Sequence, residues 1–342
     1  MQERHHWMDL FRGVAITLVI TLHAVTMPAV RDVEPMPWLA DLFLFLSPLR
    51  VPVLFAMSGM LLARAVRKPL GVYVSGKVRH LLWPFLLWGI ITVLLVGRRS
   101  QFSDPWEWIG GFGHLWFLGT LLFCVALGWF TKWVPAWVPA LALPVLLVLL
   151  EPSEPVLRDY LFYGTYYFLG AVLMTMRRTV QAAGPWVPIA GTAVGLLGMV
   201  ATGDSPMTQF GVTGVLAPLP WFVVITWVGP RLPRMRFLEW IGRNSVIWYC
   251  AHFPALSLAV RWATQSGMDG VGVNLAALAG GVLFPLVLVL GGDWTRWLFS
   301  LPASRRARPV DSAPPVRAAA TQEHARSGPG SRMPESVGSR SH

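Results

Sequence analysis

The sequence predicts an all-α fold, a polytopic transmembrane bundle of about ten spanning helices with both termini in the cytoplasm. Of its 342 residues, 54% are hydrophobic and only 13% are charged. Soluble proteins carry about 25% charged residues, so composition alone indicates a membrane protein. Two further observations support this class: apolar runs of spanning length recur along the chain, and basic residues concentrate in alternate connections between them.

The apolar runs define the predicted helices. A further apolar stretch, residues 38–49, is separated from the next run by Pro48, and we expect it to be re-entrant or interfacial. The first run lacks a clear small-x-small cleavage site, so we expect a retained helix rather than a signal peptide. The ten predicted spans are residues 13–30, 50–66, 81–97, 114–131, 134–150, 160–176, 185–202, 210–228, 245–264 and 271–292.

The connections between spans predict the orientation. Links after the even-numbered spans are basic, whereas the intervening links hold mainly acidic residues, with Arg98 and Arg99 as the clearest exceptions. By the positive-inside rule this alternation places both termini in the cytoplasm. The basic residues of the even-numbered links are Arg64, Arg67, Lys68, Lys77, Arg79, Lys132, Arg177, Arg178, Arg231, Arg234, Arg236, Arg243, Arg305, Arg306 and Arg308.

Charge and cysteine content exclude several classes. The net charge of +11 could indicate nucleic-acid binding, but the basic residues flank apolar runs instead of forming one amphipathic face. We therefore expect a lipid bilayer as partner and no nucleic acid. Cys124 and Cys250 both lie in apolar runs, so neither a disulfide framework nor a metal site is expected. Two regions follow: a membrane domain over 1–300 and a disordered, basic cytoplasmic tail over 301–342.

The first span carries the strongest functional signal. Arg12 and His23 are eleven residues apart, about three helical turns, so both face the same side of the helix about 16 Å apart along its axis. This places a histidine about halfway along a spanning helix, where an ionisable group indicates function. As a general base, His23 could deprotonate a hydroxyl acceptor. Asp9 is spaced to pair with Arg12. The alternatives are a histidine bonded between helices and simple interfacial anchoring of the two charges.

The second span contains further candidate ligands. Arg64 and Arg67 are spaced i,i+3, which on one helical face would present two guanidinium groups to phosphate oxygens. The alternative is that they serve only as topology determinants, as most arginine pairs at such a boundary do. Ser58 and Gly59 allow close approach of a ligand or of a neighbouring helix. Arg50, between two prolines, either reaches the interface or faces a polar cavity.

Later candidates lie in the ninth and fourth spans. His252 is predicted at a depth comparable to His23, which suggests a shared polar chamber. Ser245 is seven residues before His252 and therefore on nearly the same face. Asn244 and Ser245 either contact substrate or cap the helix start. Trp116, at the start of the fourth span, fits the interfacial aromatic belt as well as a substrate contact.

Six segments together resemble acyltransferase family 3, a family of integral-membrane O-acyltransferases that modify surface polysaccharides, periplasmic glucans and secreted small molecules. The resemblance covers residues 8 to about 292 in the expected order and excludes the tail. The segments are MDLFRGVAITLVITLH, RVPVLFAMSGMLLARAVR, KVRHLLWPFLLW, HLWFL, YYFLGAVL and IGRNSVIWYCAH.

The resemblance implies roles for individual residues. Arg12 and His23 match the family's first-helix arginine and histidine, and the histidine is regarded as catalytic. Arg64 and Arg67 match the paired arginines implicated in handling the acyl-CoA donor, and His252 matches a late histidine. We assign His23, Arg12 and Asp9 to catalysis. The expected substrate-binding residues are Arg64, Arg67, Ser58, Arg50, Trp116, Asn244, Ser245 and His252.

The expected function is therefore a membrane O-acyltransferase of the bacterial cytoplasmic membrane. An acetyl or other short acyl group would pass from cytoplasmic acyl-CoA, a co-substrate, to a hydroxyl of a carbohydrate or small molecule. No permanently bound cofactor and no metal are expected. Direct transfer and a covalent acyl-enzyme are both compatible with the sequence. The alternative function is a polytopic transporter or flippase that uses the intramembrane histidines for proton coupling or substrate recognition.

Overall fold

The structure is a computed structural model that describes residues 5–31, 33, 37–202 and 210–302. In these ranges the regular structure is entirely helical, with sixteen α-helices and no strand. We label them α1 (His6–Thr26), α2 (Pro37–Phe45), α3 (Ser47–Gly59), α4 (Leu62–Ala65), α5 (Leu70–Lys77), α6 (Trp83–Val96), α7 (Pro105–Gly110), α8 (Trp116–Phe130), α9 (Trp137–Leu150), α10 (Pro155–Ala182), α11 (Trp186–Thr202), α12 (Val212–Leu216), α13 (Leu219–Val228), α14 (Arg236–Arg243), α15 (Ser245–Gln265) and α16 (Gly270–Leu290).

The all-helical class is confirmed, whereas the number of membrane crossings remains a prediction. Each of the ten predicted segments contains a helix. By length and composition, four helical stretches in the described residues could cross a membrane, namely His6–Val30, Leu70–Val96, Val212–Arg231 and Gly270–Leu290. Three shorter apolar helices correspond to α8, α9 and α11. The predicted tail falls on residues outside the described ranges, apart from residues 301 and 302.

Helix α1 begins earlier than the hydropathy pattern predicts. It starts at His6 rather than at residue 13, because the helical hydrogen bonds continue through the polar turns that contain Asp9 and Arg12. Consequently His23 lies in the last turn of α1 and not about halfway along it. The Arg12 to His23 spacing is unaffected, but the histidine is displaced towards the carboxyl-terminal end of the helix.

The predicted second span is broken, which changes the arrangement of its two arginines. Helix α3 ends at Gly59, and the short helix α4 ends at Ala65. Arg67 therefore lies outside any helix, and the expectation that Arg64 and Arg67 share one helical face is wrong. Pro69 accounts for the end of α4 shortly before it, since proline disfavours helical backbone at the preceding residue.

Two close helix crossings hold the core together. At Gly13 of α1 an added Cβ would lie 2.0 Å from the carbonyl oxygen of Leu238, and at Gly242 it would lie 1.8 Å from that of Asp9. Helices α1 and α14 thus touch backbone to backbone, which only glycine permits. The α3–α10 crossing is built the same way, with Gly170 against the backbone of Ala56.

Two large buried clusters flank these crossings. The first surrounds α3, α8 and α10 and includes the fully buried Phe55 and Tyr166. The second joins α1, α6 and α15 through residues such as Ile16 and Trp88. Helix α1 therefore packs against both the α3 and the α15 sides of the molecule, so both ends of this one helix can contribute side chains to a site.

Candidate active site

Two adjoining cavities meet at Arg12 of α1 and Ser58 of α3. The larger has a volume of about 320 Å³ and extends towards α5, whereas the smaller, about 240 Å³, extends towards α14 and α15. Both cavities are lined by Arg12 and Ser58. The hydroxyl of Ser58 donates a hydrogen bond to the Leu54 carbonyl at 2.8 Å, which fixes the direction of its oxygen. We refer to these two cavities as the Arg12 cleft.

Asp9 anchors Arg12 in this cleft. The carboxylate Oδ1 of Asp9 lies 3.6 Å from Nη1 of Arg12, as the i,i+3 spacing predicts. The side chain of Asp9 is 4% exposed and that of Arg12 is 20% exposed. The α1–α14 crossing buries Asp9, because the backbone of Gly242 lies directly against it. The carboxylate of Asp9 consequently balances part of the charge of Arg12 and restricts the orientation of the Arg12 side chain in the cleft.

A third cavity, of about 550 Å³, lies at the start of α1. Three arginines from different elements line it: Arg177 of α10, Arg234 and Arg243. Arg243 also lines the smaller part of the Arg12 cleft, and Asp9 lines this cavity as well as pairing with Arg12. We call this third cavity the basic cavity. It and the Arg12 cleft are therefore neighbours along the amino-terminal half of α1.

Three histidines meet near the other end of α1. The rings of His23 and His252 stack at a centroid distance of 5.5 Å and an interplanar angle of 30°. Phe253 contacts His23 edge-on at 5.7 Å and stacks on His114 at 4.8 Å. The group draws on α1, α15 and the segment before α8. We call these three residues the histidine cluster.

The hydrogen bonds of His252 define its tautomer. Its Nδ1 lies 2.8 Å from the carbonyl oxygen of Tyr249 and 3.0 Å from that of Trp248, so Nδ1 carries the proton and donates. The Nε2 atom is buried and has no hydrogen-bond partner in the described part of the chain. A buried, unpaired ring nitrogen is costly. His252 therefore presents a free acceptor beside His23.

Arg50 supplies a buried cation next to the cluster. It lies in the first turn of α3, is 6% exposed, and interacts electrostatically with His23 and Tyr163. Its Nε and Nη1 atoms are buried and make no hydrogen bond within the described residues. Buried N–H groups without partners destabilise a fold, so the arrangement suits a ligand that accepts hydrogen bonds.

The structure brings together some sequence-predicted residues and leaves others apart. Arg64 and Arg67 are exposed and line none of the three cavities described above. Trp116 packs on Tyr163 at a centroid distance of 4.8 Å. Asn244 donates to the Trp240 carbonyl at 2.9 Å and makes no side-chain cap on α15, so the capping alternative is wrong for this residue.

Ser245, the neighbour of Asn244, lines the smaller part of the Arg12 cleft. His252 lies about two turns further along α15, in the histidine cluster, and lines neither part of the cleft. The predicted common face of these two residues therefore runs from the cleft to the cluster.

Sequence reasoning missed several residues of the site. His114 belongs to the HLWFL segment, of which the sequence analysis singles out only Trp116. A polar residue at the start of an apolar run is the signal that could have identified His114. Its carbonyl accepts a 2.6 Å hydrogen bond from the Tyr249 hydroxyl, which ties the segment before α8 to α15. Lys68 and Lys77, which the sequence analysis interprets only as topology signals, line the Arg12 cleft. His80, which the sequence analysis does not single out, lines it as well.

The chemistry available is that of histidine and arginine. Among the residues that the structure describes, no group of three His, Cys, Asp or Glu side chains is placed to hold a metal ion. Cys124 and Cys250 are buried free thiols. The arrangement offers imidazole groups suited to proton transfer at one end of α1 and the guanidinium groups of Arg12 and Arg50, which suit anionic groups.

Comparison with known proteins places these features in a family. Neither the curated proteins nor the solved structures contain a significant match to the chain. A family model does match: acyltransferase family 3, described as an acyltransferase domain, aligns with residues 5–291. This match covers α1 through the end of α16 and confirms the resemblance seen in the sequence. The chain therefore belongs to acyltransferase family 3 and is a membrane acyltransferase.

Proposed function

We propose that this protein transfers an acetyl or other short acyl group from cytoplasmic acyl-CoA to a hydroxyl of a carbohydrate or small-molecule acceptor. The observation that carries this proposal is that the two ends of α1 border different chemical groups. Its first half borders cationic cavities, whereas its last turn presents His23 beside His252. A polyanionic donor fits the first end and proton transfer fits the second. We assign the bacterial cytoplasmic membrane as the location, with the cationic end facing the cytoplasm.

The basic residues near the start of α1 support a role in donor binding. The basic cavity could accommodate phosphates, since arginine binds them in bidentate geometry. Lys68 lines the Arg12 cleft and directly follows Arg67 in the chain, so Arg64 and Arg67 could capture the donor at the mouth. From Arg12 the acyl arm would have to cover about 16 Å along α1 to reach His23.

The chemical step then follows from the histidine cluster. His23 removes the proton of the acceptor hydroxyl while the hydroxyl oxygen attacks the thioester carbonyl. The negative charge that develops on the carbonyl oxygen is stabilised by the unpaired N–H groups of Arg50. As the carbon–sulfur bond breaks, the proton held by His23 passes to the CoA thiolate, which leaves as the thiol. In this proposal His252 orients His23 and the hydroxyl through its free Nε2.

Purified protein incubated with radiolabelled acetyl-CoA and a host cell-envelope extract would test the proposal directly. We expect label to appear in an alkali-labile ester on a hydroxyl-bearing product. If folded protein gives no transfer with any short acyl-CoA and a broad acceptor pool, the proposal fails. The carrier function would then be tested by uptake into sealed vesicles.

Donor binding provides a separate prediction. Replacing both Arg64 and Arg67 by alanine should raise the Kd for acyl-CoA by about tenfold. Each exposed phosphate contact contributes at most about 1 kcal/mol, and a tenfold change in Kd corresponds to about 1.4 kcal/mol. The Lys68→Ala and Lys77→Ala pair, which removes cations lining the cleft, should have at least as large an effect. Equilibrium binding of a non-hydrolysable acyl-CoA analogue measures both. An exposed arginine that lines neither part of the cleft, Arg99→Ala, is the matched control, and equal loss in that variant would contradict the assignment.

A further inference from the structure

A fourth cavity lies at the carboxyl-terminal end of α1, opposite the basic cavity. Its volume is about 290 Å³, close to the lower end of small-ligand sites at about 300 Å³. Three elements enclose it: the 3₁₀ turn Met27–Arg31, the end of α6 and one face of α15. The proposed reaction uses none of these side chains.

Two arginines from different elements line this cavity, Arg98 after α6 and Arg261 on α15. The position of Arg98 is fixed by the end of α6, where Gly97 has a φ of +82°. The N–H groups of Gly97 and Arg98 both donate to the Val93 carbonyl at 3.1 Å. In the ranges that the structure describes, neither guanidinium is paired with a carboxylate, and no acidic residue lines the cavity.

Ser257 adds a third polar group to the same wall. It is one helical turn before Arg261, so the two side chains lie on one face of α15. Its Oγ is buried and has no hydrogen-bond partner among the described residues. Two guanidinium groups and a buried hydroxyl form a donor set that matches the oxygens of a phosphate group.

The remaining lining of the cavity is apolar and reaches the surface. Val30, Leu95 and Leu258 are 63%, 45% and 39% exposed, although all three contribute to the cavity. Such a rim suits the hydrocarbon of a lipid, whereas a small soluble anion would leave it uncovered. The lining therefore favours a ligand with one anionic end and one apolar end.

We propose that this cavity binds the phosphate of an anionic membrane lipid, with the lipid chain lying over the rim formed by Val30, Leu95 and Leu258. This gives a reason for Arg98, one of the clearest exceptions to the alternation of basic and acidic connections. The site also adjoins the histidine cluster. The N–H of Met27 bonds to the carbonyl of His23, and Ser257 is one turn beyond Phe253. Binding at this site can be measured without turnover, so its test is independent of the proposed reaction.

Native mass spectrometry of the detergent-solubilised full chain, titrated with phosphatidylglycerol, tests the site. The double variant Arg98→Gln, Arg261→Gln should weaken the first phosphatidylglycerol by about tenfold, because two charge-assisted contacts are lost. Ser257→Ala, which keeps both charges, should weaken it by about twofold to fivefold. The matched control is Arg99→Gln, since Arg99 is the next residue, is exposed and does not line the cavity.

Three outcomes overturn the proposal. The first is equal phosphatidylglycerol binding by the double variant and the wild type. The second is an equal loss of binding in the Arg99→Gln control, which would indicate only general surface charge. The third is displacement of the lipid by soluble glycerol phosphate at a similar concentration, which would identify a free-phosphate site. The unfolding temperature of each variant is measured to show that the variant is folded. It should equal that of the wild type, as expected for substitutions of exposed arginines.

Discussion

Alanine at position 23 should lower acyl transfer by about 10²- to 10⁴-fold, the range in which a positioned general base contributes. This corresponds to about 3–5 kcal/mol of lost transition-state stabilisation. His23 lies at the end of α1 remote from the cationic cavities, so donor affinity should remain within about twofold of the wild type. Single-turnover rates and equilibrium binding of an acyl-CoA analogue measure the two quantities separately.

A companion variant, His252→Ala, separates the base from its neighbour. We expect a smaller loss, about 10- to 100-fold, because His252 contributes through its stack on His23 and its free Nε2. The double variant should be about as slow as His23→Ala alone, since residues that act as a unit are not additive. Additive losses would mean that the two rings act independently.

The control for this series lies on the same helix. Among the described residues the Thr21 hydroxyl donates to its own helix, with its Oγ 2.9 Å from the Thr17 carbonyl, so Thr21→Ala changes α1 but none of the three histidines. This variant should keep full activity. If His23→Ala instead retains most of the transfer while folded, the base lies elsewhere, and His114 would be the next histidine to examine.

The sequence alone predicts those parts of the site that depend on local spacing. The Asp9–Arg12 pair and the helical character of all ten apolar segments follow from hydrogen bonding and side-chain periodicity within a few residues. The early start of α1 was missed because hydropathy measures apolar content, while helix length depends on backbone bonds. The break after Gly59 was missed because apolar residues continue through it.

Contacts between distant helices could not be predicted in the same way. The stack of His23 on His252 joins residues more than two hundred positions apart, and equal depth in two spans does not show that two rings face each other. His114 reaches the cluster only because Tyr249 holds its backbone and Phe253 stacks on its ring. That Nε and Nη1 of Arg50 have no hydrogen-bond partner in the described residues is likewise a property of the packed structure and not of its sequence neighbours.

Arg50→Met should raise thermal stability and at the same time strongly reduce acyl transfer. Two buried N–H groups of Arg50 have no partner in the described residues, so an apolar side chain of similar length removes an unfavourable burial. We expect a gain of about 1–3 kcal/mol, seen as a higher unfolding temperature in scans at one fixed rate. Transfer should fall by about 10²- to 10³-fold, as when a donor to a developing oxyanion is removed.

This opposite change in stability and activity distinguishes a functional arginine from a structural one. Arg50→Lys keeps the charge but loses the planar fork, so it should recover part of the activity without the full gain in stability. Arg296→Met removes an exposed arginine that pairs with Asp293 at 3.2 Å, and it should alter neither property. A destabilised Arg50→Met variant would instead show that Arg50 supports the fold. Stability and activity would then decline together. That result would contradict the proposal that the N–H groups of Arg50 stabilise the negative charge that develops in the reaction.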